Sequence, residues 1–198
     1  MLLTSDEISR STHAAWTLFK GDPAGLRQLD VSFDGFWRSF GVILLLLPAL
    51  GILIASERLF ILGHTAMTPE TFPAGAFLLT RLLAVGLDWV DYPLLLALLA
   101  RPLGLTRRYV PLVVALNWAS LVAVIPITAP GLLHVLGLVG DETASFLGLF
   151  ALGVVLRYQY LVTRIAVGGP VGFSIGLVAL DYVSGLAVRT IATAIGGI

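Results

Sequence analysis

Residues 40–62 read FGVILLLLPALGILIASERLFIL, and within that run only Glu57 and Arg58 carry charge. At about 1.5 Å of rise per residue, such a helix crosses the roughly 30 Å hydrocarbon core of a bilayer. Four further stretches have the same character, at residues 75–100, 109–129, 144–167 and 171–195. Charged residues make up 12% of the chain against 58% hydrophobic ones, and the mean hydropathy is +0.96. A soluble domain keeps about a quarter of its residues charged. The chain therefore reads as an all-α polytopic membrane protein whose solvent is lipid, with five transmembrane helices in one domain over residues 40–198.

Residues 1–39 read as short amphipathic helices, cytoplasmic or interfacial. Thr4 and Glu7 have the capping-box spacing, Ile8, Ala15, Trp16 and Phe19 fall near one face, and Gly21 supplies a stop. Asp22-Pro23 offers an N-cap and a first-turn proline for a second helix. Ser32 caps a third, in which Phe33, Phe36, Trp37 and Phe40 follow the i, i+3, i+4, i+7 pattern. An aromatic stripe running straight into a span predicts a helix lying at the headgroup level. The alternative is a set of plain helices covering the end of the bundle. The opening residues MLLTSDEISR lack a basic region followed by an apolar core, so the first span is expected to act as its own insertion signal.

Prolines and glycines punctuate the connections at Pro69 and Pro73, Pro102, Pro130-Gly131, and Gly168-Gly169-Pro170. Residues 130–143 are apolar enough to form a short interfacial or re-entrant helix. Arg10, Lys20, Arg27 and Arg38 precede the first span, Arg101, Arg107 and Arg108 fill the second connection, and Arg164 precedes the fourth. The first and third connections hold no Lys or Arg. The positive-inside rule then orients the N-terminus to the cytoplasm and the C-terminus to the opposite side, the periplasm if the membrane is a bacterial inner membrane.

The net charge is zero, which favours no nucleic-acid partner, and the absence of cysteine removes disulfides, thiol nucleophiles and cysteine-based metal sites. His13, His64 and His134 sit on three separate segments without paired ligand spacing. No G-x-S-x-G, P-loop, H-E-x-x-H or dinucleotide fingerprint occurs. The chain thus reads as a protein without catalysis, metal or cofactor. Gly172 and Gly176 form a GxxxG pattern, which predicts close packing inside the bundle ahead of a dimer seam.

Eight ionisable side chains fall inside the spans: Glu57, Asp88, Asp91 and Asp181 against Arg58, Arg81, Arg157 and Arg189. Each costs about 2.5–3.5 kcal/mol at the bilayer centre if left alone. Asp88, Arg157 and Asp181 share mid-depth, Asp91 lies a turn nearer the cytoplasm, and the other four lie about 8–12 Å towards the outer face. One reading is structural ion pairing, Asp88 or Asp181 with Arg157 and Glu57 with Arg81 or Arg189. The other is a polar pathway for a proton, ion or small solute. The run Asp88-Trp89-Val90-Asp91-Tyr92-Pro93 sets two acids one turn apart, and Pro93 frees the Trp89 carbonyl. Asn117, Tyr158, Gln159 and Tyr160 are the available partners. The candidate intramembrane polar site is therefore Asp88, Asp91, Asn117, Arg157 and Asp181.

The stretches LLLALLARPLGLTRRYVPLVVALNW (residues 94–118) and LGLFALGVVLRYQYLVTRIAVGGPVGF (residues 147–173) resemble the bacterial members of the Yip1 family. The likeness is one of pattern over about residues 40–195, and the D-L-Y-G-P motif of the eukaryotic members is absent. The resemblance implies a polar cytoplasmic N-terminus, five spans and a scaffold or adaptor role. The leading expectation is an integral membrane interaction protein, an accessory subunit of a larger inner-membrane complex whose partners are lipid and other membrane proteins. The alternative is a small transporter or channel using the intramembrane Asp and Arg residues.

Because the chain has no native cysteine, single cysteines report sidedness directly. Arg107→Cys should resist a membrane-impermeant maleimide in intact cells while Glu142→Cys reacts. Labelling of Arg107→Cys from outside would overturn the orientation.

Overall fold

Five helices in the computed structural model, which describes residues 3–196, are long and apolar enough to cross a membrane. The order is α1 (Ser5–Phe19), a 3₁₀ turn (Pro23–Gln28), α2 (Phe33–Ser39), α3 (Val42–His64), α4 (Ala74–Leu99), α5 (Tyr109–Val135), α6 (Asp141–Val167) and α7 (Val171–Gly196). Among the described residues no strand occurs, and the chain is an all-α integral membrane protein.

Local chemistry accounts for the short elements. The Glu7 N–H donates to Thr4 Oγ1 (3.2 Å), the Ala24 N–H to Asp22 Oδ1 (2.8 Å) and the Gly35 N–H to Ser32 Oγ (3.1 Å), so each predicted N-cap is used. Gly21 stops α1 with φ +82, a conformation open to glycine at no steric cost. The capping box at Thr4 is only half formed. Glu7 does not reach back to Thr4 but takes both its oxygens to Arg38 Nε, at 3.0 and 2.9 Å. Arg38 Nη2 also donates to Asp30, which closes a clamp from α1 through α2.

The long helices arrange as two leaves. In one, α3 and α5 run parallel, tied by Ser56 Oγ against His134 Nδ1 (2.8 Å), with α6 packed along α5, while Asn117 Nδ2 of α5 donates to Ser39 Oγ at the end of α2 (2.9 Å). In the other, α4 and α7 run antiparallel, with Tyr92 Oη donating to the Leu177 carbonyl (3.0 Å). Contact across the leaves is sparse between α3 and α4 and between α4 and α5. The dry core lies where α5 meets α1 and α6, around Leu112, Val114, Trp118, Val162 and Leu18. We call that end the N-terminal face and the other the far face.

Two expectations are corrected. Residues 130–135 do not turn back as a separate helix; α5 continues through Pro126 and Pro130 and ends before Gly137, whose φ is +70. A proline inside a transmembrane helix removes one donor without forcing a break when neighbours support the turn. Here Gly131 lies directly against Ser56 of α3. The second correction concerns α1, whose buried face is Glu7, Ser11, Ala14, Ala15 and Leu18, while Trp16 is 45% exposed. Small residues win that face because α1 docks closely on α5 and α6, where Tyr158 Oη donates to the Ala15 carbonyl (2.6 Å). The N-terminal helices thus pack over the end of the bundle. Their aromatics still face outward, with Trp16 stacked on Phe19 and Phe33 and Trp37 exposed, as residues at headgroup level are.

The clamp makes a pH prediction. Hydrogen bonds from Ser32, and then the Arg38 guanidinium, hold the Asp30 carboxyl below its ordinary range. A depressed folded-state value adds stability above the unfolded value, which is lost as pH falls through the depressed one. Amide exchange over residues 32–39, corrected for intrinsic rate, should therefore rise on acidification below about pH 4. Asp30→Asn should raise exchange at neutral pH and abolish that dependence.

Candidate intramembrane polar site

Two cavities that share walls lie in the cleft between the leaves, and a third adjoins them against the α3–α5–α6 leaf alone. The innermost, of about 280 Å³, is lined by Asp88, Asn117, Ser120, Tyr158, Gln159 and Asp181 among apolar side chains. The next, of about 420 Å³, shares Leu50, Val85 and Asp88 with it and adds Glu57, Arg81, Arg189 and Thr193. A third, of about 260 Å³, shares Leu53, Glu57 and Ile127 with the second and adds Ser56, His134 and Ser145. The file runs from mid-bundle to the far face. Towards the N-terminal face it ends on the Ser39–Asn117 and Tyr158–Ala15 bonds and the dry core behind them.

Two ion pairs line this file. Arg81 of α4 donates through Nε to Glu57 Oε2 (2.8 Å) and through Nη2 to Glu57 Oε1 (2.7 Å), a bidentate bond across the leaves. Its Nη1 reaches Thr193 Oγ1 of α7 (3.3 Å). Arg189 Nη1 meets both oxygens of Asp88 at 3.3 Å, within the α4–α7 leaf. Arg189 starts nearer the far face than Asp88, but side chains on a helix lean towards its N-terminus, which carries this one back to the depth of its acid. Asp181 is served by a neutral amide, Gln159 Nε2 at 3.1 Å, and among the described residues has no cation within salt-bridge distance.

Of the candidate residues, Asp88, Asn117 and Asp181 converge on the innermost cavity. Asp91 does not line it, and its Oδ2 is buried without a hydrogen-bond partner. Arg157 is also outside it. The expected bond from Arg157 to Asp88 or Asp181 is not made: Tyr158 and Gln159 turn into the cleft, and Arg157, about 100° away round the helix, is exposed on the outer surface without a salt bridge or hydrogen bond among the described residues. A guanidinium in that position carries an insertion penalty of about 2.5–3.5 kcal/mol. Glu57 with Arg81 follows the expected pairing.

Residues outside the candidate set complete the file. Asp181, Gly185, Arg189 and Thr193 recur every fourth position on α7, a stripe legible in the sequence as one polar face. Gly185 is where Asp88 fits, since a Cβ there would stand 2.5 Å from Asp88 Oδ1. At the far face His134 Nε2 meets Asp141 Oδ1 (2.7 Å), with His64 Nδ1 at 3.6 Å from Asp141 Oδ2, so two of the histidines share one acid. Ser56, His134 and Asp141 stand in a row. Through these bonds the row joins α3, α5 and α6. Gly172 and Gly176 do not pack inside the bundle; both are exposed, with no atom within 4 Å of an added Cβ.

No family model, curated protein or solved structure matches the chain.

Gly185→Ala should push Asp88 off Arg189 and lower stability by about 1–3 kcal/mol, the usual range for overpacking. Gly176→Ala, on the open surface, should leave stability unchanged. The midpoint of SDS-induced unfolding measures both, and equal midpoints for the two variants would contradict the assigned packing.

Proposed function

We propose that this chain is a small transporter or channel that passes an ion or small polar solute along the cleft between its leaves. The observation that carries this reading is the file of three wall-sharing cavities that leads from the far face to Asp181, an acid at mid-bundle bonded to an amide and without a salt bridge among the described residues. Ion pairing accounts for Glu57 with Arg81 and for Asp88 with Arg189, and it leaves Asp181 unaccounted for. An ionisable group of that kind in a membrane is a site for exchange with the file. In this conformation the floor at Asn117 and Tyr158 is closed, so passage requires the leaves or α1 to shift.

The distribution of basic residues supports an N-terminal face in the cytoplasm and a far face in the periplasm of a bacterial inner membrane. A second reading is the non-catalytic interaction protein or accessory subunit that the Yip1-like pattern implies, and exposed Arg157 favours it.

Accessibility and flux test the transport reading together. Single cysteines replacing Ser145, Ile127 and Ser120 should react with an impermeant methanethiosulfonate from the far face, and one replacing Leu112 should not. In proteoliposomes loaded with pyranine under a potassium diffusion potential, Asp181→Asn should reduce proton uptake at least tenfold. Silent cysteines throughout the cleft, or wild-type uptake equal to that of empty liposomes, would remove the support for this reading where protons are the probe.

A further inference from the structure

Arg157 sits close to the middle of α6, a helix of 27 residues and so about 40 Å long. Snorkelling is disfavoured. With a hydrocarbon core of about 30 Å centred on this helix, the nearer boundary, on the Val167 side, is about 10 Å from Arg157, and the Cα–Cβ bond leans towards the Asp141 end, away from it. Along the same stripe of α6 lie Phe146 and Phe150, 71% and 70% exposed, and Gly153, which has no atom within 4 Å of an added Cβ. Positions 146, 150, 153 and 157 follow the spacing of one helix face. That face joins two aromatic side chains, a notch that admits a second backbone, and a guanidinium without an acid.

We propose that this face of α6 docks a transmembrane helix of another membrane protein, one that carries an aspartate or glutamate at the depth of Arg157. The charge that the bundle leaves unanswered specifies the occupant, and Gly153 allows the close approach that transmembrane helix pairs use. A second copy of this chain fits poorly. Its mid-depth acids are engaged or turned inward, Asp88 on Arg189, Asp181 on Gln159, and Asp91 with one oxygen buried. The proposal rests on the accessory-subunit reading and is independent of transport, because Arg157 lies outside the cleft.

Photo-crosslinking in native membranes tests it. A benzoylphenylalanine at Phe150 of the full chain should give one adduct whose partner peptide has Asp or Glu within a turn of the crosslink. The adduct should persist in Arg157→Lys, fall at least fivefold in Arg157→Gln, and return when the partner's acid is changed to glutamine alongside Arg157→Gln. Arg157→Gln should also purify as a folded protein with an unchanged or higher SDS midpoint, since the side chain makes no bond among the described residues. An adduct at twice the mass of this chain, or one indifferent to Arg157, overturns the proposal. The same probe at Leu44 and Leu98, exposed on other helices, separates the two levels. Adducts there but none at Phe150 would sink this surface alone, whereas none at any position would sink the accessory-subunit reading with it.

Discussion

The bidentate bond between Arg81 and Glu57 is the constraint on which the bundle depends. It joins α4 to α3 across a cleft where the two helices otherwise scarcely touch. In lipid, apolar faces gain nothing by leaving water, so helices associate through packing and polar contacts. The α3–α5–α6 leaf has packing in abundance. The α4–α7 leaf meets it mainly along the α6–α7 contact, and its remaining attachments are few and directional: Arg81 to Glu57 near the far face, and Trp89 Nε1 to the Phe40 carbonyl and Tyr109 Oη to the Pro93 carbonyl nearer the N-terminal face. A structure fastened at its edges in this way leaves room between its fastenings, and the cavities lie there.

Much of this was legible in the sequence, because the bilayer imposes a length and a polarity that composition reports directly. Each predicted span coincides with a helix to within a few residues, apart from the end of α5. There Pro130-Gly131 reads as a stop, while the neighbouring α3 supports the turn and the helix goes on. Capping chemistry at Thr4, Asp22 and Ser32 was equally plain, since it needs only a side chain and the amide two or three residues on. The N-terminal face of α1 was not. Hydrophobicity selects Ile8, Ala15, Trp16 and Phe19; Ala15 is buried and Ile8 and Phe19 pack against the core, whereas Trp16 turns outward and close docking brings in Ser11 and Ala14 instead.

The polar site divides along a similar line. Depth can be counted from the ends of a span, and counting brings Asp88, Arg157 and Asp181 to one level, with Asn117 among the available partners. Direction round the helix cannot be counted without knowing which neighbour it packs against. Arg157 was grouped with the acids for its depth and stands on the opposite flank from Gln159. The stripe Asp181, Gly185, Arg189, Thr193 carried the missing direction on α7, because four-residue spacing fixes a face. It identifies Arg189 as the partner of Asp88 once α7 is laid antiparallel to α4.

The pairing of α4 with α7 has a bearing on biogenesis. Helices leave a ribosome in chain order, and the second span reaches the bilayer while its principal neighbour, the last one, is still unmade. Until then Asp88 has neither Arg189 nor the recess at Gly185, and the second span has within reach the Arg81–Glu57 bond and the Trp89 bond to the Phe40 carbonyl. A nascent chain of this design carries an unanswered acid through most of its own insertion. Completion of the final helix is the event that settles it.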